Sequence, residues 1–242
     1  MTDAWTSVAP EWADLWGGVA DPARRAIIEA AGVIDGTRAL DVGCGSGEFL
    51  ALLEQHGATA TGVDTAGGMV KLAKARGLEA RLGHQENLPF EADTFDLVTA
   101  VNALQFADDA QVALAESTRV AKPGGYVALA NWAEAALNDI DTVERALEDD
   151  DEPSVDSDYR LPGGLEALLA EAGLTLVASG VVECPWTARD ELQLVRGIML
   201  GEDEETMGRR SPDVLAAAEP FRDGDGYLLR NHFRWAVARV PA

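Results

Sequence analysis

A chain of 242 residues, 47% hydrophobic and 25% charged, has the composition of a folded globular protein with one sizeable core. Its 42 acidic residues against 19 basic ones leave a net charge of −23, which excludes nucleic acid and anionic membrane surfaces as partners held by clustered basic residues. No apolar run of about 18 residues suits a membrane span, the start lacks the basic and apolar regions of a secretory signal, and two cysteines outside any metal-ligand spacing suit a reduced, cytoplasmic setting.

The first predicted element is a helix in "MTDAWTSVAPEWADLW", which carries Trp5, Trp12 and Trp16. "DPARRAIIEAAGV" predicts a second helix, with Asp21 as N-cap, Pro22 at the first helical position, and Ala26, Ile27, Ala30 and Ala31 on its apolar face. "RALDV" reads as a buried strand, "EFLALLEQHG" as a helix closed by Gly57, "ATATGVD" as a second strand and "GGMVKLAKARG" as another helix. "LEARLG", "TFDLVTAV" and "GYVALANW" predict three more strands, with a helix before the last that Pro-Gly-Gly ends. Strands alternating with helices indicate parallel βαβ units wound right-handedly, with helices on both faces.

Beyond Trp132 the rhythm changes. A helix leads into the acidic stretch "EDDDEPSVDSD", read as a solvated loop near a ligand entrance. "LPGGLEALLAEAGL" restores a helix, "TLVASGVVECPW" reads as one long strand, "RDELQLVRGIML" as a helix, "GEDEETMGRRSP" as a polar loop and "NHFRWAVARV" as a final strand. No internal repeat or clean linker interrupts the chain, so a single domain is expected.

Gly43, Gly45 and Gly47 alternate directly after the first strand, where a side chain would hold a ligand away from backbone N–H groups and the following helix. A dinucleotide fingerprint would need its third glycine at Glu48, and Asp41 would repel a phosphate. Asp41 suits a cationic group instead. Asp64, 23 residues later at the end of the second strand, can accept hydrogen bonds from two ribose hydroxyls. A ribose, a positive centre and no phosphate describe S-adenosylmethionine.

"ALDVGCGSGEF" and "GVD" resemble the first two motifs of class I S-adenosylmethionine-dependent methyltransferases, and "NLPFEADTFDLVTAVNALQF" and "RVAKPGGYVALANW" are similar to that family's fourth and fifth strand segments. The likeness runs over about residues 20–132 and is to the small-molecule branch that includes ubiquinone and menaquinone biosynthesis methyltransferases. It implies an α/β Rossmann-like fold: a seven-stranded, mostly parallel sheet with helices on both faces, an antiparallel last strand and a small substrate cap from insertions. By this likeness residues 1–20 form an N-terminal lid, 21–132 the cofactor core, 133–161 and 187–229 the cap, and 162–186 and 230–242 the rest of the sheet.

By the same resemblance Gly43, Cys44, Gly45 and Gly47 would line the methionine part of the cofactor, with Asp41 near its ammonium. Asp64 would hold the ribose, while Thr65, Met69, Gln85, Glu86 and Asn102 would border the nucleoside. His84 stands where relatives often carry an aspartate, and Gln105 where they often carry histidine, making both candidates near the reaction zone. Trp5, Trp12, Trp16, Gln105 and Trp132 are candidates for holding the acceptor, a small molecule, in a monomer or homodimer. The leading function is methyl transfer to an O, N or C atom. A cofactor-binding protein that transfers nothing is the alternative, and a nicotinamide dehydrogenase is disfavoured by Asp41 and Glu48.

Overall fold

The computed structural model describes residues 2–148 and 156–242. Seven strands build the main sheet: β1 (Arg38–Val42), β2 (Thr59–Asp64), β3 (Ala80–Leu82), β4 (Phe95–Val101), β5 (Ala121–Trp132), β6 (Thr175–Glu183) and β10 (His232–Arg239). Their order is β3-β2-β1-β4-β5-β10-β6, parallel except for β10, which runs antiparallel to β5 and β6. This is the sheet expected from the sequence. β1 and β4 are buried along nearly their whole length, as strands covered on both faces must be.

Helices α2 (Asp21–Ala31) and α3 (Glu48–Gln55) cover one face through Ile27, Phe49, Leu50 and Leu53, each at most 1% exposed. Burying such a side chain stabilises the fold by about 1.5–3 kcal/mol. α5 (Ala110–Val120) and α7 (Gly164–Glu171) cover the other with Leu114, Leu168 and Leu169. α4 (Gly67–Ala75) follows β2 and packs against α1 (Thr2–Leu15). Because β1 lies between β2 and β4, the chain leaves the sheet in opposite directions there, opening a crevice at the C-terminal ends of these strands.

A second layer forms the cap: α6 (Asp139–Arg145), α8 (Glu191–Ile198), α9 (Glu204–Ala218) and a small antiparallel sheet, β7 (Trp186–Ala188), β9 (Gly226–Leu229) and β8 (Arg222–Asp223). Its core contains Ile140, Val143, Trp186, Leu194, Val214 and Leu229. Among the described residues no helix is long and apolar enough to cross a membrane.

Four local expectations are corrected. "TLVASGVVECPW" is two strands, because Cys184 N–H turns to the Asn231 carbonyl (2.6 Å), Pro185 has no N–H to donate, and Trp186 enters the small sheet. "GEDEETMGRRSP" is the end of one loop and most of α9: Asp203 caps the helix by accepting from the Thr206 N–H at 2.7 Å. Pro212 lies within this helix and can donate no N–H to it. Asp21 is not the N-cap but the first residue of α2, and its carboxylate pairs with Arg24 at 2.8 Å. The helix before β5 ends at Val120, ahead of the Pro-Gly-Gly, which already belongs to β5. Most of the acidic stretch "EDDDEPSVDSD" lies outside the described residues.

Candidate functional site

Three chain reversals meet at the crevice. The loop after β1 turns through Gly43, Gly45 and Gly47, all with positive φ. A Cβ at Gly43 would lie 2.3 Å from that of Ala103, so only glycine lets the β1 and β4 loops touch. A Cβ at Gly45 would meet the Trp12 ring at 3.4 Å, and the positive φ of 54° there also favours glycine.

Asp64, at the end of β2, accepts hydrogen bonds from the Gly45 N–H (2.9 Å) and the Ala66 N–H (2.8 Å). One oxygen is engaged by each, leaving further lone pairs of the carboxylate free. Burial raises its pKa, and the backbone N–H groups of Ala66, Gly45 and Thr65 oppose that shift.

Asp41 is 3% exposed. The register that pairs Asp41 with Thr99 across β1 and β4 brings the Thr99 hydroxyl within 2.7 Å, donating to the carboxylate. Burial nevertheless pushes its pKa from 3.8 to about 7, helped by Asp64 and Glu48 and opposed by Thr99 and Arg24. Burial also holds the Cys44 thiol well above its usual range, so the side chain is an unreactive packing group. Glu48 accepts from Ser46 (2.7 Å) and Arg76 (2.6 Å).

These groups open on a cavity of about 520 Å³, within the usual range for small-molecule sites. Asp41, Gly43, Cys44, Gly45, Asp64, Thr65, Met69, His84, Gln85, Glu86 and Asn102 all line it, as do Trp5, Trp12, Trp16 and Trp132. Gly47 does not; it precedes α3 as its N-cap. Gln105 also stays outside, donating its amide to the Asn102 side chain at 2.8 Å and so steadying a residue with φ of 52°. His84 reaches the cavity from an exposed bridge to Asn87, and Glu86 accepts from the Asp108 N–H.

The tryptophans join lid and cap. Trp16 stacks on Trp186 with centroids 4.3 Å apart, and their indole N–H groups donate to the carbonyls of Gly197 and Leu15 respectively. Trp132 packs between Trp16 and Phe233.

Sequence reasoning missed the cap side of the cavity: Ile140, Asp141, Glu144, Arg160 and Ile198. It also missed Arg24, which is 7% exposed and donates to the Gly17 carbonyl and Asp21. Arg24 does carry a signal: with Ile27, Ile28 and Ala31 it sits on the buried face of α2, an unusual place for a guanidinium. Its Nε and the Oε1 of Gln85 are buried without a hydrogen-bond partner among the described residues, both on residues that line the cavity.

The family model described as a methyltransferase domain matches residues 40–129, the segment that carries both glycine loop and Asp64. The match runs from β1 into β5 and covers under half of the chain. The chain is similar to the demethylmenaquinone methyltransferases of Renibacterium salmoninarum, 33% identical over 122 residues (50% of this chain, 52% of that protein), and of Staphylococcus aureus, 37% identical over 122 residues (47% and 51%). The chain thus spans about half the length of the curated relatives it matches. Among solved structures the fold recurs in the YcgJ protein of Bacillus subtilis, with TM-score 0.62 and 20% identity over 92% of this chain and 99% of that one. It recurs in the [4+2]-cyclase SpnF, with TM-score 0.61 and 21% identity over 92% and 81%.

Proposed function

We propose that the chain transfers a methyl group from S-adenosylmethionine to an O, N or C atom of a small molecule. The observation that carries this reading is one cavity that holds both the Asp64–Gly45 cradle and, beyond it, an aromatic compartment under the cap. Bound there, the donor supplies an electrophilic methyl carbon on a sulfonium. The residues fit such a guest: Asp64 keeps lone pairs for two ribose hydroxyls, and Met69 offers an apolar wall to the adenine. Asp41 sits where it can accept from the methionine ammonium, and the otherwise unmatched Arg24 Nε can donate to the methionine carboxylate. Gln85 Oε1 can accept from the adenine amino group.

The protein's part in the reaction is alignment. A neutral thioether leaves without needing an acid, so binding both reactants in line and excluding water supply much of the acceleration. α1 closes one side of the cavity through Trp5, Trp12 and Trp16, and its end is fixed to the cap by the Trp16–Trp186 stack. We read residues 1–242 as one catalytic unit on this basis.

The test is to incubate the chain with S-adenosylmethionine and a panel of amines, phenols and carboxylates, and to measure S-adenosylhomocysteine. Acceptor-dependent product supports the reading. Binding of the donor with no product from any panel member or cell extract favours a non-transferring role on the same fold.

A further inference from the structure

We propose that Glu144 recognises the methyl acceptor, and that the acceptor reaches it as an amine. The inference rests on the methyl-transfer reading and deepens it.

Glu144 lies on α6, which Ile140 and Val143 anchor in the cap core. Asp141 and Glu144, one turn apart, line the same cavity as Asp64 and Gly45. Their circumstances differ. Asp141 is gripped by Arg160 through two hydrogen bonds of 2.8 and 2.6 Å, and Arg160 is further held by Asp156 and the Ala133 carbonyl. The Glu144 carboxylate has no hydrogen bond or ion pair among the described residues. Its side chain is exposed where it lines the cavity, while the protein packed around the carboxylate raises its pKa to about 7, by desolvation first and then by Asp141 and Glu148, against the pull of Arg160.

Charged groups on the neighbouring elements are engaged elsewhere. Arg210 of α9 donates to the Ala146 carbonyl and pairs with Asp213; Arg196 of α8 pairs with Glu11; Glu134, ahead of α6, pairs with Arg234. Six carboxylates line the cavity — those of Asp41, Asp64, Glu86, Asp108, Asp141 and Glu144 — against two arginines that already have acidic partners. An anionic acceptor would be repelled. An ammonium would find a carboxylate in Glu144 and the ring faces of Trp16, Trp132 and Phe233 in the same cavity, and cations are attracted to such faces.

Glu144 then has two tasks. It holds the ammonium, and it takes one N–H proton, leaving a neutral amine. The nitrogen lone pair forms the new N–C bond as the C–S bond breaks, and that electron pair leaves on sulfur. The product is a methylated ammonium and a neutral thioether, with one proton on Glu144 to be returned to solvent. A carboxylate with a pKa near the working pH suits proton removal.

The probes are 2-phenylethylamine, 2-phenylethanol and 3-phenylpropionate, titrated calorimetrically with and without saturating S-adenosylhomocysteine. The amine should bind roughly tenfold or more tightly than the alcohol, as a charge-assisted hydrogen bond allows, and 3-phenylpropionate least. At about pH 6.5, where free Glu144 is largely protonated, amine binding should release protons, seen as heats that differ between buffers of different ionisation enthalpy. Glu144→Gln should abolish both the amine preference and the proton release while leaving S-adenosylhomocysteine affinity unchanged. An amine that binds no better than the alcohol, or a Glu144→Gln protein that keeps the preference and the release, overturns the proposal. Loss of S-adenosylhomocysteine binding by the unaltered protein would instead overturn the donor reading, and the amine arm without it remains decisive for Glu144.

Discussion

Asp41→Asn should stabilise the protein increasingly as pH rises. In the native fold the carboxylate is buried beside Thr99 with a pKa of about 7, against 3.8 when exposed, so between these values the folded state binds the extra proton. Wild-type stability therefore falls as pH climbs from about 4 to 7 and levels off above. At 1.36 kcal/mol per tenfold change in proton affinity, the burden is about 4 kcal/mol well above pH 7, and about 2 kcal/mol at pH 5.5. Asparagine keeps an acceptor for the Thr99 hydroxyl and carries no charge, although its buried amide N–H groups cost about 1–3 kcal/mol at every pH. The pH-independent cost cancels in a comparison of pH 5.5 with pH 8.5, where the advantage of the variant should grow by about 2 kcal/mol. For a chain of this size that is about 4–8 °C of melting temperature. Thermal unfolding of both ligand-free proteins at the two pH values measures it. A gap between variant and wild type that is flat, or narrows toward pH 8.5, would refute the reasoning that a buried, proton-hungry carboxylate is kept here for a cationic ligand.

Asp64→Ala should weaken S-adenosylhomocysteine binding by roughly 1.5–3 kcal/mol, from lost charge-assisted hydrogen bonds; calorimetry showing unchanged affinity would contradict the ribose role. Trp186→Ala removes a side chain that is 3% exposed, stacks on Trp16 and donates to the Leu15 carbonyl. It should destabilise the protein by about 3–5 kcal/mol in denaturant unfolding, and a cost below about 1 kcal/mol would show that lid and cap are not joined through it.

The glycine-loop half of the cavity was legible in the sequence because backbone geometry dictates it. A strand–turn–helix with positive φ at Gly43, Gly45 and Gly47 has few residue choices, and β1 and β4, covered on both faces, read as apolar runs. Asp64 was legible by its place at a strand end. The cap half of the cavity was hidden because it is assembled across long separations: Ile140, Glu144, Ile198 and Trp16 come to line one cavity only in the folded chain. α9 was concealed by charge and by Pro212, since only Val214 and Ala218 of that helix are buried and its apolar pattern is faint. Arg24 was hidden in plain helical spacing, where a cation on an apolar face needed Asp41 across the crevice to give it meaning.

The most direct test of the account is a calorimetric titration of the chain with S-adenosylhomocysteine and, separately, with NAD. The account predicts saturable binding of S-adenosylhomocysteine at one site per chain, weakened by roughly 1.5–3 kcal/mol in Asp64→Ala, and no binding of NAD. Binding of NAD alone would contradict it.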